Sequence, residues 1–393
     1  MSWETIGEPR LDLPTPAELP LHAPEAAWPH SGGGIAGNGR AAALLGYART
    51  TRWVCELPKG PPVMRLLAIN DRVLAIRAPD RRLNQQVELI DGDGQHLRTI
   101  TGRIGDWAID SRYSMLLGST TEAELAAWSL DEPEHKPIFV FRRIAGRELD
   151  ALRLIDDTLV IVTHQLKRLG GPPPDVLIDI VEVPHYDDVS RWRSLRSRTR
   201  VAERITEGIN RVVLGFDPGG VILAKPDEVC WTDWTLRDRG RLDPGPSLLP
   251  LRSAPRGDGS TWLLTEHEDQ TELWQLAVGR CERSVAVDPA LVDACPLVGP
   301  DDGIVLASSQ MIASIDANGA RRWSFPRSGA ATGLIDPQGV ALYSDAGRLI
   351  STDPAGARAT VWTAPAKVTR LGPLAATRER LWVGGGRLVF GLR

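Results

Sequence analysis

The chain has 393 residues, which at about 150 residues per domain suggests two to three domains unless repeats intervene. Its hydrophobic fraction of 42% and charged fraction of 24% are near globular averages and exclude a wholly disordered chain. Lys and Arg number 46 against 50 Asp and Glu, a formal charge of -4, so nothing draws the whole molecule to nucleic acid or to an anionic membrane.

Residues 1–40 differ in kind from the rest. Prolines recur at Pro9, Pro14, Pro16, Pro20, Pro24 and Pro29, and Ser31 to Gly39 is glycine-rich. Proline fixes φ and removes a donor, so this segment is expected to be an arm that joins no sheet over any length. Trp3 and Trp28 favour its partial docking on a folded body. The start MSWETIGEPRLDLPTP has neither a basic opening nor an apolar run of signal-peptide length, and a cytoplasmic location is expected.

From residue 41 onward one propeller domain is expected, with an insertion around residues 164–208. Short apolar strand cores are centred at Leu74, Met115, Val160, Ile222, Leu263, Val305, Ala341 and Trp382. The gaps between them are 41, 45, 62, 41, 42, 36 and 41 residues. A recurrence of about 40–45 residues is the size of one four-stranded propeller blade. The long gap holds Gly170-Gly-Pro-Pro-Pro174 and then an arginine-rich stretch.

The turns repeat too. Asp217-Pro-Gly-Gly220, Asp336-Pro-Gln-Gly339 and Asp353-Pro-Ala-Gly356 share a pattern, with Asp91-Gly-Asp-Gly94 and Asp316-Ala-Asn-Gly319 as near relatives. Asp bonds back to the backbone, Pro presets φ, and Gly closes the turn. One unit reads as strands over residues 294–299, 303–308, 311–316 and 320–325. The last unit lacks an outer strand, and Thr51 to Leu57 is expected to supply it, closing the ring without an open edge. The expected fold is therefore all-β, a propeller of about eight blades, with seven as the alternative. Thr121-Glu-Ala-Glu124 matches a helix capping box, although a strand over residues 124–130 fits the period better.

Within the stretch from Met311 to Phe325, Ala313, Asp316, Gly319 and Trp323 follow the order of a quinoprotein-type repeat, and the unit resembles the PQQ-like propeller family. The resemblance implies a tryptophan docked between neighbouring blades. Trp362, six residues after Gly356, departs from the spacing, and Trp53 and Trp192 fall on expected outer strands without the rest of the motif. The resemblance does not extend to the quinone, and no cofactor is expected.

Tests for chemistry give little. Gly32-Gly-Gly34-Ile-Ala-Gly37 satisfies GxGxxG, but no strand precedes it. Cys55, Cys230, Cys281 and Cys295 form no CxxC pair and read as reduced thiols. His185-Tyr-Asp-Asp188 could ligate a metal, but a polar loop is the preferred reading. The strongest departure from background is the run Arg191, Arg193, Arg196, Arg198, Arg200 and Arg204, with Lys167 and Arg168 nearby.

Two functions are weighed. The first is a non-catalytic platform for a protein or peptide partner. The second is a lyase- or hydrolase-like enzyme, or a small-molecule binder, at the channel mouth. The candidate binding residues are His164, Lys167, Arg168, His185, Asp187, Arg191, Arg193, Arg196, Arg198 and Arg200. No catalytic set and no metal site are assigned, and neither nucleic acid nor a membrane is expected as a partner.

Overall fold

The second strand of each repeat is buried on both faces, which is why it reads as a short continuous apolar run rather than an alternating one. Arg72–Arg77, Gly220–Lys225 and Leu381–Gly385 are such strands. All eight centres found in the sequence fall on second strands. In contrast the outer strand Arg280–Ala286 alternates between exposed and half-buried residues.

The structure is a computed structural model and describes residues 4–5, 27–28, 39–42, 45, 49–133, 136–143, 146–155, 158–165, 176–182, 200–206, 212–226, 228–245 and 248–393. Eight antiparallel sheets form eight blades. In chain order they cover residues 63–103, 108–143, 147–206, 213–242, 249–286, 295–326, 333–363, and 374–392 joined by Thr51–Glu56. Each inner strand packs on the next, and the eighth returns to the first, so the sheets close a ring. Buried side chains cluster between neighbouring blades rather than in one central core.

The closing strand behaves as expected. Thr51–Glu56 pairs antiparallel with Leu388–Leu392 and completes blade 8. Thr50 and Arg393 exchange two backbone hydrogen bonds of 3.0 Å, so the chain break occupies the place of a hairpin turn. The expected unit in blade 6 appears as Cys295–Val298, Ile304–Ala307, Met311–Ile315 and Arg321–Pro326. The capping-box stretch is a turn leading into a strand, Glu124–Ser129, not a helix, and the Thr120 hydroxyl accepts from the amides of Glu122 and Glu124 in that turn.

Antiparallel order gives the ring two ends. Inner strands begin at one end, called the mouth. All five Asp turns lie at the other, far end, between first and second or third and fourth strands. At Asp336, for example, Oδ1 accepts from the amides of Gln338 and Val340, both at 2.9 Å.

Among the described residues, the N-terminal segment pairs with two sheets, over two residues in each. Glu4–Thr5 pairs with the outer strand of blade 3, and Ala27–Trp28 with the inner strand of blade 1. From Gly39 the chain runs outward between blades 7 and 8. Gly39 and Ala41 bond to the backbone of Ile335, Leu45 to the Asp336 carboxylate, and Arg49 to the carbonyl of Val361. Ala41 and Leu45 are fully buried there among residues of both blades.

Candidate functional site

The inner strands surround a central channel at the mouth end, with a cavity of about 760 Å³ to which every blade contributes. Three inner strands carry a β-bulge near the mouth, at Met64 in blade 1, Asp150 in blade 3 and Leu251 in blade 5. A bulge inserts one residue and re-aims the side chains beside it. All three bulge residues line the cavity, and so do the residues that follow them, Arg65, Ala151 and Arg252.

Asp106, at the entry to blade 2, is the hub of the wall. It is 4% exposed. Its Oδ1 accepts from the Arg65 guanidinium at 3.0 Å and from the Trp107 amide at 3.1 Å. Its Oδ2 accepts from the Leu152 amide at 3.2 Å and from the Arg153 guanidinium. One carboxylate thus holds two arginines, which leaves a local excess of positive charge and fixes both planar forks.

Blade 5 stands across the ring from blade 1 and presents Arg252. This guanidinium is exposed and makes no ion pair with any described residue. Arg65, Arg153 and Arg252 thus line the channel together with Asp106 and Asp150, three cations to two anions, in a chain whose total charge is negative. Cys295 also lines the channel, but burial pushes its thiol up against the pull of Arg252 and Arg327. It is a neutral thiol near pH 7, not a thiolate nucleophile.

His164 lies near the mouth end of the second strand of blade 3, Thr158–Gln165, beside the channel wall. Its Nδ1 is 2.7 Å from Oδ1 of Asp150, and its Nε2 is 3.6 Å from Oε2 of Glu148. The hydrogen bond to Asp150 raises the imidazole above its ordinary 6.5, helped by both carboxylates and opposed by burial and Arg147. The folded-state value lies above the unfolded one, so protonated His164 stabilises the fold at low pH. That contribution fades as pH rises through the folded value. His164→Gln is accordingly expected to shrink the drop in melting temperature between about pH 6 and about pH 8.5. An identical drop in wild type and variant would remove this role.

At the far end the N-terminal segment meets three blades. Ala27–Trp28 pairs with Ala68 and Ile69, the last residues of the blade 1 inner strand. The buried Arg40 donates from Nε to the Val298 carbonyl at 2.7 Å and from Nη2 to the Gly299 carbonyl, in blade 6. Its neighbours Gly39 and Ala41 bond to Ile335 in blade 7.

Of the residues singled out in the sequence, the structure describes His164 fully and Arg200 only as the first residue of the outer strand Arg200–Thr206. Lys167, Arg168, His185, Asp187, Arg191, Arg193, Arg196 and Arg198 lie outside the described residues, as does Trp192. Their flanking strands differ in place. Gln165 and Val176 are at the mouth end of blade 3, whereas Glu182 is at its far end. The sequence reading missed Arg65, Asp106, Arg153 and Arg252. The available signal was an arginine in the strand before the apolar core strand of three units.

No protein-family model matches the chain, and no curated protein matches it. Among solved structures, the WD40 β-propeller domain of Doa1 is similar over 88% of this chain and 97% of its own, at 10% identity and a TM-score of 0.45. Virginiamycin B lyase from Staphylococcus aureus is similar over 86% of this chain and 98% of its own, at 9% identity and a TM-score of 0.41. Puromycin hydrolase is similar over 81% of this chain and 57% of its own, at 13% identity and a TM-score of 0.48. These are likenesses of fold, and the ring rests on its own eight sheets. The PQQ-like resemblance accordingly stands as a β-propeller with docked tryptophans, with no particular family attached.

Proposed function

We propose that this propeller is a non-catalytic platform that binds a protein partner on the mouth face of the ring. The observation that carries the reading is a pair of exposed apolar side chains on opposite blades above a cationic throat. Met64 and Leu249, at the starts of inner strands on opposite blades, are 53% and 39% exposed. Arg65 and Arg252 lie just beyond them along the same strands. Exposed apolar side chains next to arginines have the composition of a binding surface. The wall carboxylates support the same reading. Asp106 is engaged by four donors and Asp150 by His164.

A second reading, a small-molecule binder or enzyme, is favoured by one observation, the hydrogen-bonded His164–Asp150 pair beside the channel. Such a pair could move a proton on a bound substrate.

Affinity capture from the native host over a salt series tests the platform. A stoichiometric partner is expected with the wild-type chain. Met64→Asp should lose it, and Arg321→Glu, a charge change on an exposed residue at the far end, should keep it. Equal capture by both variants would move the partner off the mouth face.

A further inference from the structure

We infer that the throat of the channel is a carboxylate-binding site that receives an extended acidic segment of the partner, with Arg252 as the cation left free to pair with it. This inference rests on the platform reading and names the chemistry of its partner.

Charge is the first argument. The chain is acidic overall, yet the cavity wall carries three arginines and two aspartates. One aspartate, Asp106, is shared by Arg65 and Arg153, so neither guanidinium is fully neutralised. The other, Asp150, is bonded to His164, which lies outside the lining and adds positive charge when protonated. Nothing among the described residues pairs with Arg252.

Geometry is the second argument. Arg65 and Arg153 are held in place by a buried carboxylate and cannot swing away to solvent without stranding it. A group entering between blades 1 and 5 meets fixed donors on one side and the free fork of Arg252 on the other. Planar forks match carboxylates two bonds at a time. The bulges at Met64 and Leu251 stand directly before Arg65 and Arg252, so the same backbone device is used on both walls.

Size and access are the third. A cavity of about 760 Å³ lies within the range of roughly 300–1,000 Å³ seen for ligand sites. It admits an extended segment and not a folded domain. The cavity is lined by residues at the starts of inner strands, such as Met64, Val212 and Thr332, so the occupant enters from the mouth.

The experiment uses the full chain and fluorescein-labelled hexaglutamate, read by fluorescence anisotropy, with hexaglutamine as the uncharged control and glutarate as a free dicarboxylate competitor. Hexaglutamate is expected to bind with an affinity that falls steeply with salt. Arg252→Ala should weaken it by about tenfold, with Arg252→Lys in between, because the ammonium keeps the charge and loses the fork. Arg321→Glu should leave binding unchanged. The Arg252 side chain is exposed, so an unaltered melting temperature will show that its variants are folded.

Binding that ignores Arg252, or that hexaglutamine equals, would overturn the inference. So would glutarate binding in an Arg252-dependent way while hexaglutamate does not, since the ligand would then be a free dicarboxylate. If hexaglutamate fails while a captured partner is still lost in Met64→Asp, the carboxylate chemistry falls and the platform stands. If hexaglutamate binds through Arg252 and no partner is captured, the carboxylate site stands and the platform falls.

Discussion

A chain that begins at residue 58 is expected not to fold. Such a truncation removes Thr51–Glu56 from blade 8 and leaves Leu388–Leu392 as an unpaired apolar edge. It also removes Ala41, Leu45, Cys55 and Leu57, all buried in the layer that joins blades 7, 8 and 1. Each leucine contributes about 1.5–3 kcal/mol by burial, and the indole of Trp53 adds to this. That indole covers the turn at Gly94 in blade 1, where φ is +84° and a Cβ would lie 2.6 Å from the ring, and its Nε1 donates to the Gly92 carbonyl at 2.9 Å. The summed loss is comparable with the whole stability of a typical domain, about 5–15 kcal/mol. The exposed edge adds a route to aggregation. The expected result is insoluble protein, rescued by co-refolding with a synthetic peptide of residues 39–57. A soluble, monomeric chain 58–393 that melts within a few degrees of the full protein would show that the ring does not depend on this closure.

What the sequence reveals of this molecule divides by the distance over which each feature is built. A second strand such as Arg72–Arg77 is buried on both faces by the blades beside it, so the apolar run is visible within six residues. The Asp turns are equally local. At Asp353 the carboxylate accepts from the Ala357 amide, and the carbonyl accepts from the Gly356 amide, so four or five residues carry the whole signal. The described pairings of the N-terminal segment, Glu4–Thr5 and Ala27–Trp28, involve no proline, whose ring removes the donor a ladder needs.

The channel wall is assembled differently. Asp106 meets Arg65 and Arg153, which are 41 and 47 residues away and on separate blades. Each of these residues taken alone is an ordinary charged side chain on a strand. The inner strand that follows Asp106, Ala108–Asp110, has only three residues and offers almost no periodic pattern. A site built by bringing eight repeats round to one axis leaves little mark within any single repeat beyond an arginine on the inner strand of three of them. The arginine run at 191–204 stood out for the opposite reason, because its residues are adjacent in sequence.

Trp323→Ala is expected to cost about 3–5 kcal/mol, the range for deleting a large buried aromatic. Trp323 lies on the outer strand of blade 6 and is 9% exposed, among Val305, Ile312, Ala341, Tyr343 and Ile350 of blades 6 and 7. It covers the turn of blade 7 at Gly356, where φ is +93° and a Cβ would lie 3.1 Å from Cδ1 of the indole. Trp53 does the same from blade 8 over Gly94 of blade 1. Trp362 of blade 7 reaches blade 8, where the chain break replaces the turn, and bonds to the Thr51 hydroxyl at 3.0 Å. Three consecutive outer strands thus dock a tryptophan on the next blade, although only Trp323 carries the full repeat motif. The three differ in one respect. Trp53 and Trp362 donate from Nε1, whereas Nε1 of Trp323 is buried with no hydrogen-bond partner among the described residues, beside a small cavity of about 130 Å³. Replacement by phenylalanine removes the indole N–H along with part of the ring. At Trp53 and Trp362 this also breaks a hydrogen bond of about 0.5–1.5 kcal/mol, and at Trp323 it breaks none. The phenylalanine variant should therefore be mildest at 323, even though the alanine variant there is severe. Gly356→Ala should be destabilising as well, and its effect should fail to add to that of Trp323→Ala, because the new methyl group and the indole compete for one place. Chemical denaturation of the single and double variants measures both claims. An alanine cost at 323 below about 1 kcal/mol, or strict additivity with Gly356→Ala, would mean that the indole is not what joins these two blades.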